Sequence, residues 1–391
     1  MTTQQRKTHK RLLPFYVSRV LEGVIFWFAI EKVFMQSIGF TISSIGLAIL
    51  AMKVVILCSE VPLGIVADRT SRKGMALFSV FTLGTATYIM AQSSSPAGYM
   101  VGLVFFGLYS ASSSGLSDSI IYDTVIEEEG IRERYEYYFG RERLLGSIGL
   151  VLSSLLGSWV ATKWGLSSAY LFTVPFTVLA FITMIGFKEP KLHKNSENSF
   201  LVGHLSESFA YLKKSGVIRW IIVASVAIGV LCQTLLELDQ LWPLALAMPL
   251  IWYGPLNGAL LSSYGLAGAL AGRLRTWGLA VKSAFVALLA CIVALMVAHL
   301  GAVVPAQIIA ILVAEALLII ANGKMHDQVE SRYRAGVSSM VSTITSLAFI
   351  PLLLAFTGIT DRQSVFVATI LLPPIAIVGL VALAKVYRRP A

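Results

Sequence analysis

Glu22, Asp118, Glu237 and Glu315 are four of the acidic side chains that fall within long apolar runs of this chain. A charge left at the middle of a bilayer costs at least about 2.5–3.5 kcal/mol, so an acid there marks proton transfer, ion pairing or solute recognition. Glu22 and Glu315 fall near the middles of their runs. Asp118 lies about one turn from the end of its run, and Glu237 lies near the opposite boundary with Asp239 beside it. Lys53 is the base near the middle of a run. Arg19 and Glu22 are three residues apart and share a helix face, and Phe26 continues that stripe as an aromatic surface above the charge. Two readings stay open for each. Arg19 and Glu22 form a static ion pair, or Glu22 handles a proton or solute. Lys53 pairs with Glu22 or reaches a polar pocket. Glu315 carries a proton or is structural. Asp118 caps or pairs near the interface unless it faces a solute, and Glu237 is wetted from outside unless it does the same.

No other constellation offers chemistry. Cys58, Cys232 and Cys291 each sit in apolar sequence and read as small buried residues, not a disulfide framework. None of the five histidines stands at ligand spacing from another histidine or a cysteine. There is no phosphate-binding G-x-x-x-x-G-K-[ST] loop and no nucleophile–base pair in an accessible loop, so neither an enzyme nor a self-contained ATP-driven pump is expected. No metal or cofactor is implied.

The elements that must carry these residues follow from composition. The 391 residues are 56% hydrophobic and 13% charged, with mean hydropathy +0.77, whereas soluble domains carry about 25% charge. Apolar runs of about twenty residues, enough to cross about 30 Å of hydrocarbon, recur at 12–36, 42–66, 74–92, 98–122, 142–163, 167–187, 217–240, 252–272, 277–299, 302–323, 335–358 and 363–385. The period-2 alternation of a membrane barrel is missing, so the runs predict helices, which satisfy their own backbone in lipid.

Charge sets the orientation. Arg6, Lys7, Lys10 and Arg11 precede the first run, Arg69, Arg72 and Lys73 follow the second, and Arg132, Arg134, Arg141 and Arg143 follow the fourth. Lys188 to Arg219 adds six bases, and Lys324, Arg332, Arg334, Lys385, Arg388 and Arg389 lie on the same side. The other side offers Lys163 and Arg362. The positive-inside rule therefore predicts both termini cytoplasmic. The net charge of +10 is a topology signal, and no nucleic-acid partner is expected. Residues 1–20 do not read as a cleaved signal peptide. The polar connector 188–216 divides the chain into a six-helix bundle at 1–187 and another at 217–391. Within it, Phe200 to Lys214 reads equally as an amphipathic surface helix and as a solvated linker.

Gly64-x-x-x-Asp68-Arg69-x-x-Arg72-Lys73, following the second run, resembles the signature loop of major facilitator transporters. Glu60-Val61-Pro62-Leu63-Gly64 resembles a drug-efflux-like group of that superfamily. Ala271-Gly272-Arg273-Leu274-Arg275 looks like a degenerate second copy, and Arg334-Ala335-Gly336-Val337-Ser338 resembles the start of the family's eleventh helix. The resemblance implies an all-α membrane protein of twelve transmembrane helices in two six-helix bundles. It also implies that helices 1, 4, 7 and 10, which carry the four acids, line a central cavity, with Phe26, Tyr109 and Ser113 on its wall. Gly64 is expected to allow close helix approach. Asp68, Arg69 and Arg72, joined by Asp123 and Arg141, are expected to form a gating charge cluster. The G-P-x-x-G-G antiporter signature of helix 5 is absent; Gly146-Ser147-Ile148-Gly149 and Gly157-Ser158 stand there instead.

Elsewhere the sequence reads as scaffold. Gly258, Gly265, Gly268 and Gly272 suit close packing. Ser110 to Ser114 do too, or hydrogen-bond a solute. Trp242, Trp252 and Tyr253 suit an aromatic belt. Pro373-Pro374 predicts a kink or break, Glu127-Glu128-Glu129 a solvated turn, and Lys282 a snorkelling base.

The expectation is a secondary active transporter that exports small amphipathic or cationic organic compounds against protons as an antiporter. It would be a monomeric integral protein of the bacterial plasma (inner) membrane, its partners a small-molecule solute, protons and lipid. Uptake of a nutrient by symport and a transport-dead sensor are the alternatives.

Overall fold

The computed structural model describes residues 3–130, 134–190, 216–274, 279–329 and 334–387, which are almost entirely helical. Two compact units emerge, Met1–Glu197 with Pro249–Gly258, and Asn198–Met248 with Ala259–Ala391. The first holds α1 (Thr3–Glu22), α2 (Glu31–Ser37), α3 (Ile42–Arg69), α4 (Arg72–Gln92), α5 (Pro96–Ser113), α6 (Leu116–Glu129), α7 (Tyr135–Trp164) and α8 (Leu166–Ile185). The second holds α9 (Gly216–Glu237), α10 (Leu241–Ala245), most of α11 (Tyr253–Arg273), α12 (Leu279–Ala294), α13 (Leu300–Gln328), α14 (Arg334–Arg362), α15 (Val365–Ala368) and α16 (Leu372–Tyr387).

Nine described helical stretches are long and apolar enough to cross a membrane, and Val281–Ala294 is a shorter apolar helix. Each of the twelve apolar runs contains described helix. Local chemistry sets the boundaries. Thr41, Ser71, Ser95 and Ser364 accept backbone N–H bonds from residues three further on, the usual role of a hydroxyl at a helix start. Pro96, at the first position of α5, gives up no bond there. Connections of one to three residues between α3 and α4, α4 and α5, and α7 and α8 force antiparallel neighbours.

Besides the twelfth, three expected spans are interrupted. The first leaves helical geometry after Glu22, passes through a 3₁₀ turn at Phe28–Ile30 and resumes as α2. Backbone freed inside a membrane must find partners in the protein. Here Ser153 donates to the Gly23 carbonyl at 3.3 Å and accepts from the Ile25 amide at 3.0 Å, while Thr173 accepts from the Phe26 amide at 3.1 Å. The segment lies directly on the α7 backbone. A Cβ at Gly149 would stand 2.5 Å from the Val20 carbonyl oxygen, and one at Gly157 would overlap that of Phe26. The small residues of the fifth run therefore serve this close approach. The fourth span breaks between α5 and α6 at Gly115, whose φ of +66° favours glycine. The seventh breaks after Glu237, where the Gln307 side-chain amide donates to the Asp239 carbonyl at 2.7 Å.

The first and seventh spans break alike. Each helix ends on a glutamate, Glu22 or Glu237, five residues before a tryptophan, Trp27 or Trp242, that is fully buried. Trp27 stacks on Tyr170 at 5.1 Å, and Trp242 donates to Thr369 at 3.2 Å.

Several scaffold expectations change. Trp242 and Tyr253 are buried, so of the proposed belt only Trp252 is exposed; the turn after Glu237 folds Trp242 inward. Gly258 does approach Leu155, but a Cβ at Gly265, Gly268 or Gly272 would meet nothing within 4 Å. The break expected at Pro373-Pro374 is present, because α16 begins at Leu372. The amphipathic stretch Phe200 to Lys214 lies outside the described residues.

Candidate functional site

In the first unit Arg19 is held between two carboxylates. Its Nη1 donates to Glu22 Oε2 at 2.6 Å and its Nε to Glu142 Oε1 at 2.8 Å. Such charge-assisted bonds are among the strongest a protein makes. Ser18 on α1 donates to Glu22 Oε1 at 3.2 Å, and Ser117 on α6 donates to Glu142 Oε1 at 3.1 Å. Tyr109 on α5 is hydrogen-bonded to Arg19. Glu22 and Glu142 are 5% and 2% exposed. Among the described residues Glu142 Oε2 has no hydrogen-bond partner, although Arg143 Nε lies at 3.8 Å. Within the contacts that Arg19 makes, two carboxylates share one guanidinium, and one bound proton makes that group neutral.

Glu142 was not singled out in the sequence, where it opens the fifth run between Arg141 and Arg143. The helix α7 starts at Tyr135, which puts Glu142 two turns inside it. Glu31 and Lys32 were also missed: Lys32 is buried, paired with Glu31, and Glu31 accepts from the Tyr99 hydroxyl at 3.3 Å.

Phe26 departs from its expected place. The chain has left the helix before it, so it does not extend the Arg19–Glu22 face; it is buried against Phe176 on α8 at 5.6 Å. Ser113 is half-buried, with its hydroxyl bonded to the Ser110 carbonyl; Ser110 and Ser112 likewise bond their own helix. Lys53 stands half-buried in α3.

The charges at the basic end form a broader network than expected. Arg72 bridges Asp123 and Asp68, the latter at 3.3 Å. Asp68 is itself 61% exposed at its side chain. Ser71 and the Lys73 amide bind the Glu189 carboxylate at 2.8 and 3.2 Å. Arg11 pairs with Glu127 at 3.0 Å and Glu128 at 2.5 Å. Glu129 takes a bond from Tyr138 and pairs with Arg134. The three glutamates are thus structural partners and not a solvated turn. Arg141 meets His9 at 3.4 Å and lies over the Tyr16 ring. Arg69 is exposed and makes no ion pair among the described residues. Gly64 offers no close approach, since a Cβ there would meet nothing within 4 Å. Asp118 is exposed in the first turn of α6, beside Arg72, Asp123 and Tyr135, because the break at Gly115 carries it into this charged region.

In the second unit a cavity of about 570 Å³ is lined from α9, α11, α13 and α14. Glu315 lies on its wall, 5% exposed, with Cys232 bonded to its carboxylate. Glu237 lies on α9, half-buried, at the helix break and not at the end of the span.

The sequence profile of the Major Facilitator Superfamily matches residues 12–353. No curated protein matches the chain in sequence. Among solved structures, a point mutant of the nucleoside transporter NupG superposes with a TM-score of 0.77 at 14% identity, covering 95% of this chain and 99% of that one. A bacterial homologue of the human lysosomal transporter Spinster, inward-facing and occupied, gives 0.77 at 14% identity over 100% of both chains. At such identities the likeness concerns the fold.

Proposed function

The chain belongs to the Major Facilitator Superfamily, and on that premise we propose that it is a proton-coupled secondary active transporter exporting small cationic or amphipathic organic compounds by alternating access. It is an integral membrane transporter and not an enzyme. The observation that carries the coupling is Arg19 between Glu22 and Glu142. An uncompensated charge is expensive to hold in low dielectric, and Arg143, at 3.8 Å from Glu142 with its side chain 67% exposed, offsets the second carboxylate only in part, so the group has reason to take up and release a proton. It sits at the interruption of α1, where small backbone movements reposition Glu22. The bridge Asp68–Arg72–Asp123 is proposed as the gate. The excess of basic loops supports cytoplasmic termini; a cysteine at Ser95 should then react with an impermeant outside reagent in intact cells, and protection there would reverse the orientation. The protein is proposed to act as a monomer.

A second reading, uptake of a small polar solute by symport, is favoured by the hydroxyl and amide groups on the wall of the second unit's cavity. Proton flux in proteoliposomes separates the two while candidate solutes are added. Opposed solute and proton movement supports export by exchange, parallel movement supports symport, and neither flux would leave a sensor.

A further inference from the structure

Among the described residues Glu315 is a buried carboxylate without a cation. It makes no ion pair among them, and the partner identified for it is the Cys232 thiol, a weak donor. Buried charges are ordinarily paired. Here the open side of the carboxylate is the cavity of about 570 Å³, within the range of about 300–1,000 Å³ that holds small organic ligands.

The wall around it is polar. Ser225 and Gln233 come from α9, Asn322 from α13 and Thr345 from α14. Ser225 is fully buried, and its hydroxyl has no partner among the described residues, although buried hydroxyls are nearly always bonded. Glu315 and Asn322 are seven residues apart on α13, about 10 Å along a helix. A carboxylate thus stands at one level of the cavity and an amide two turns away.

We propose that this cavity binds a small organic ammonium ion, its cationic nitrogen against Glu315 and its hydrogen-bonding groups against Ser225 and Asn322. This rests on the transporter reading and specifies the solute's charge. An amphipathic compound with no cationic centre would leave Glu315 unpaired.

Cys232 reports the local field because it lines the same cavity. The full-length protein with Cys58→Ser and Cys291→Ser is treated with aminoethyl or sulfonatoethyl methanethiosulfonate, and modification is followed by mass spectrometry. Rates are normalised to a free thiol. The cationic reagent should react at least tenfold faster, Glu315→Gln should bring the ratio near one, and small aryl-ammonium ions should slow it where neutral alcohols of equal size do not. Thr345→Cys in a protein with Cys232→Ser is the second reporter, so an unreactive Cys232 still leaves a reading. A ratio unchanged by Glu315→Gln, equal protection by the neutral alcohols, or no reaction at either position would overturn the proposal. Charge selectivity without proton flux would leave this site standing while removing the coupled-transport reading; flux without selectivity would do the reverse.

Discussion

Arg19→Met removes the cation from between two carboxylates while keeping an unbranched apolar stem and helix propensity. Two charge-assisted bonds disappear, to Glu22 at 2.6 Å and to Glu142 at 2.8 Å, and with them the bond to Tyr109. Breaking a buried pair from one side costs about 3–5 kcal/mol, mostly because a charge is left unpaired. The Arg19 side chain keeps 24% exposure, which favours the lower edge, about 3 kcal/mol. For a unit of this size, each kcal/mol shifts the midpoint by about 2–4 °C, so the apparent Tm should fall by about 6–12 °C. Detergent-solubilised protein followed by intrinsic fluorescence gives the measurement. Adding Glu22→Gln and Glu142→Gln removes the stranded charges and should recover more than half of the loss. A fall of less than about 2 °C for the single substitution, or no recovery in the triple variant, would refute the triad as a coupled electrostatic unit.

Other consequences can be measured separately. Gly157→Ala places a Cβ on the Phe26 carbonyl and should sharply lower the yield of folded protein, whereas Gly64→Ala should not; equal yields would contradict the packing described. Asp68→Asn and Asp123→Asn each remove a partner of Arg72 and should lower turnover by roughly 5- to 150-fold, a usual size for coupling between states, with solute affinity retained. Wild-type turnover in both would exclude the gate. His9, ahead of the apolar part of α1, is held below its ordinary value of 6.5 by burial first and then by Arg141, against Glu129. The unfolded chain therefore takes the proton at higher pH, so stability is full above 6.5 and declines as pH falls toward the folded value. His9→Gln should flatten the Tm slope between about pH 5 and 6.5, and an unchanged slope would remove His9 as its source.

The helices were legible because hydropathy reports lipid exposure directly. The interruptions were not, because Gly23 to Trp27 is as apolar as a helix. Its partners Ser153 and Thr173 lie far away in sequence. One sign was present: Leu21-Glu22 and Leu236-Glu237 are each followed five residues after the glutamate by tryptophan, a repeat that marks both breaks. Glu142 had a sign too. Glu142, Gly146, Gly149, Ser153 and Gly157 are spaced by three or four, so the acid continues the face that packs on α1. Flanking arginines, at the very start of the fifth run, concealed it. The pairing of Arg11 with Glu127 and Glu128, 116 and 117 residues away, has no local signature.

Proton coupling through the Arg19 group is the central claim, and Glu22→Gln tests it most directly by keeping shape while removing the exchangeable charge. In proteoliposomes carrying an ammonium solute that the wild type accumulates, the variant should lose accumulation against a gradient while still exchanging solute down one. Glu142→Gln should show the same separation, since both carboxylates share the guanidinium. Full proton-driven accumulation in the Glu22→Gln variant, at the wild-type ratio of solute to protons, would contradict the account.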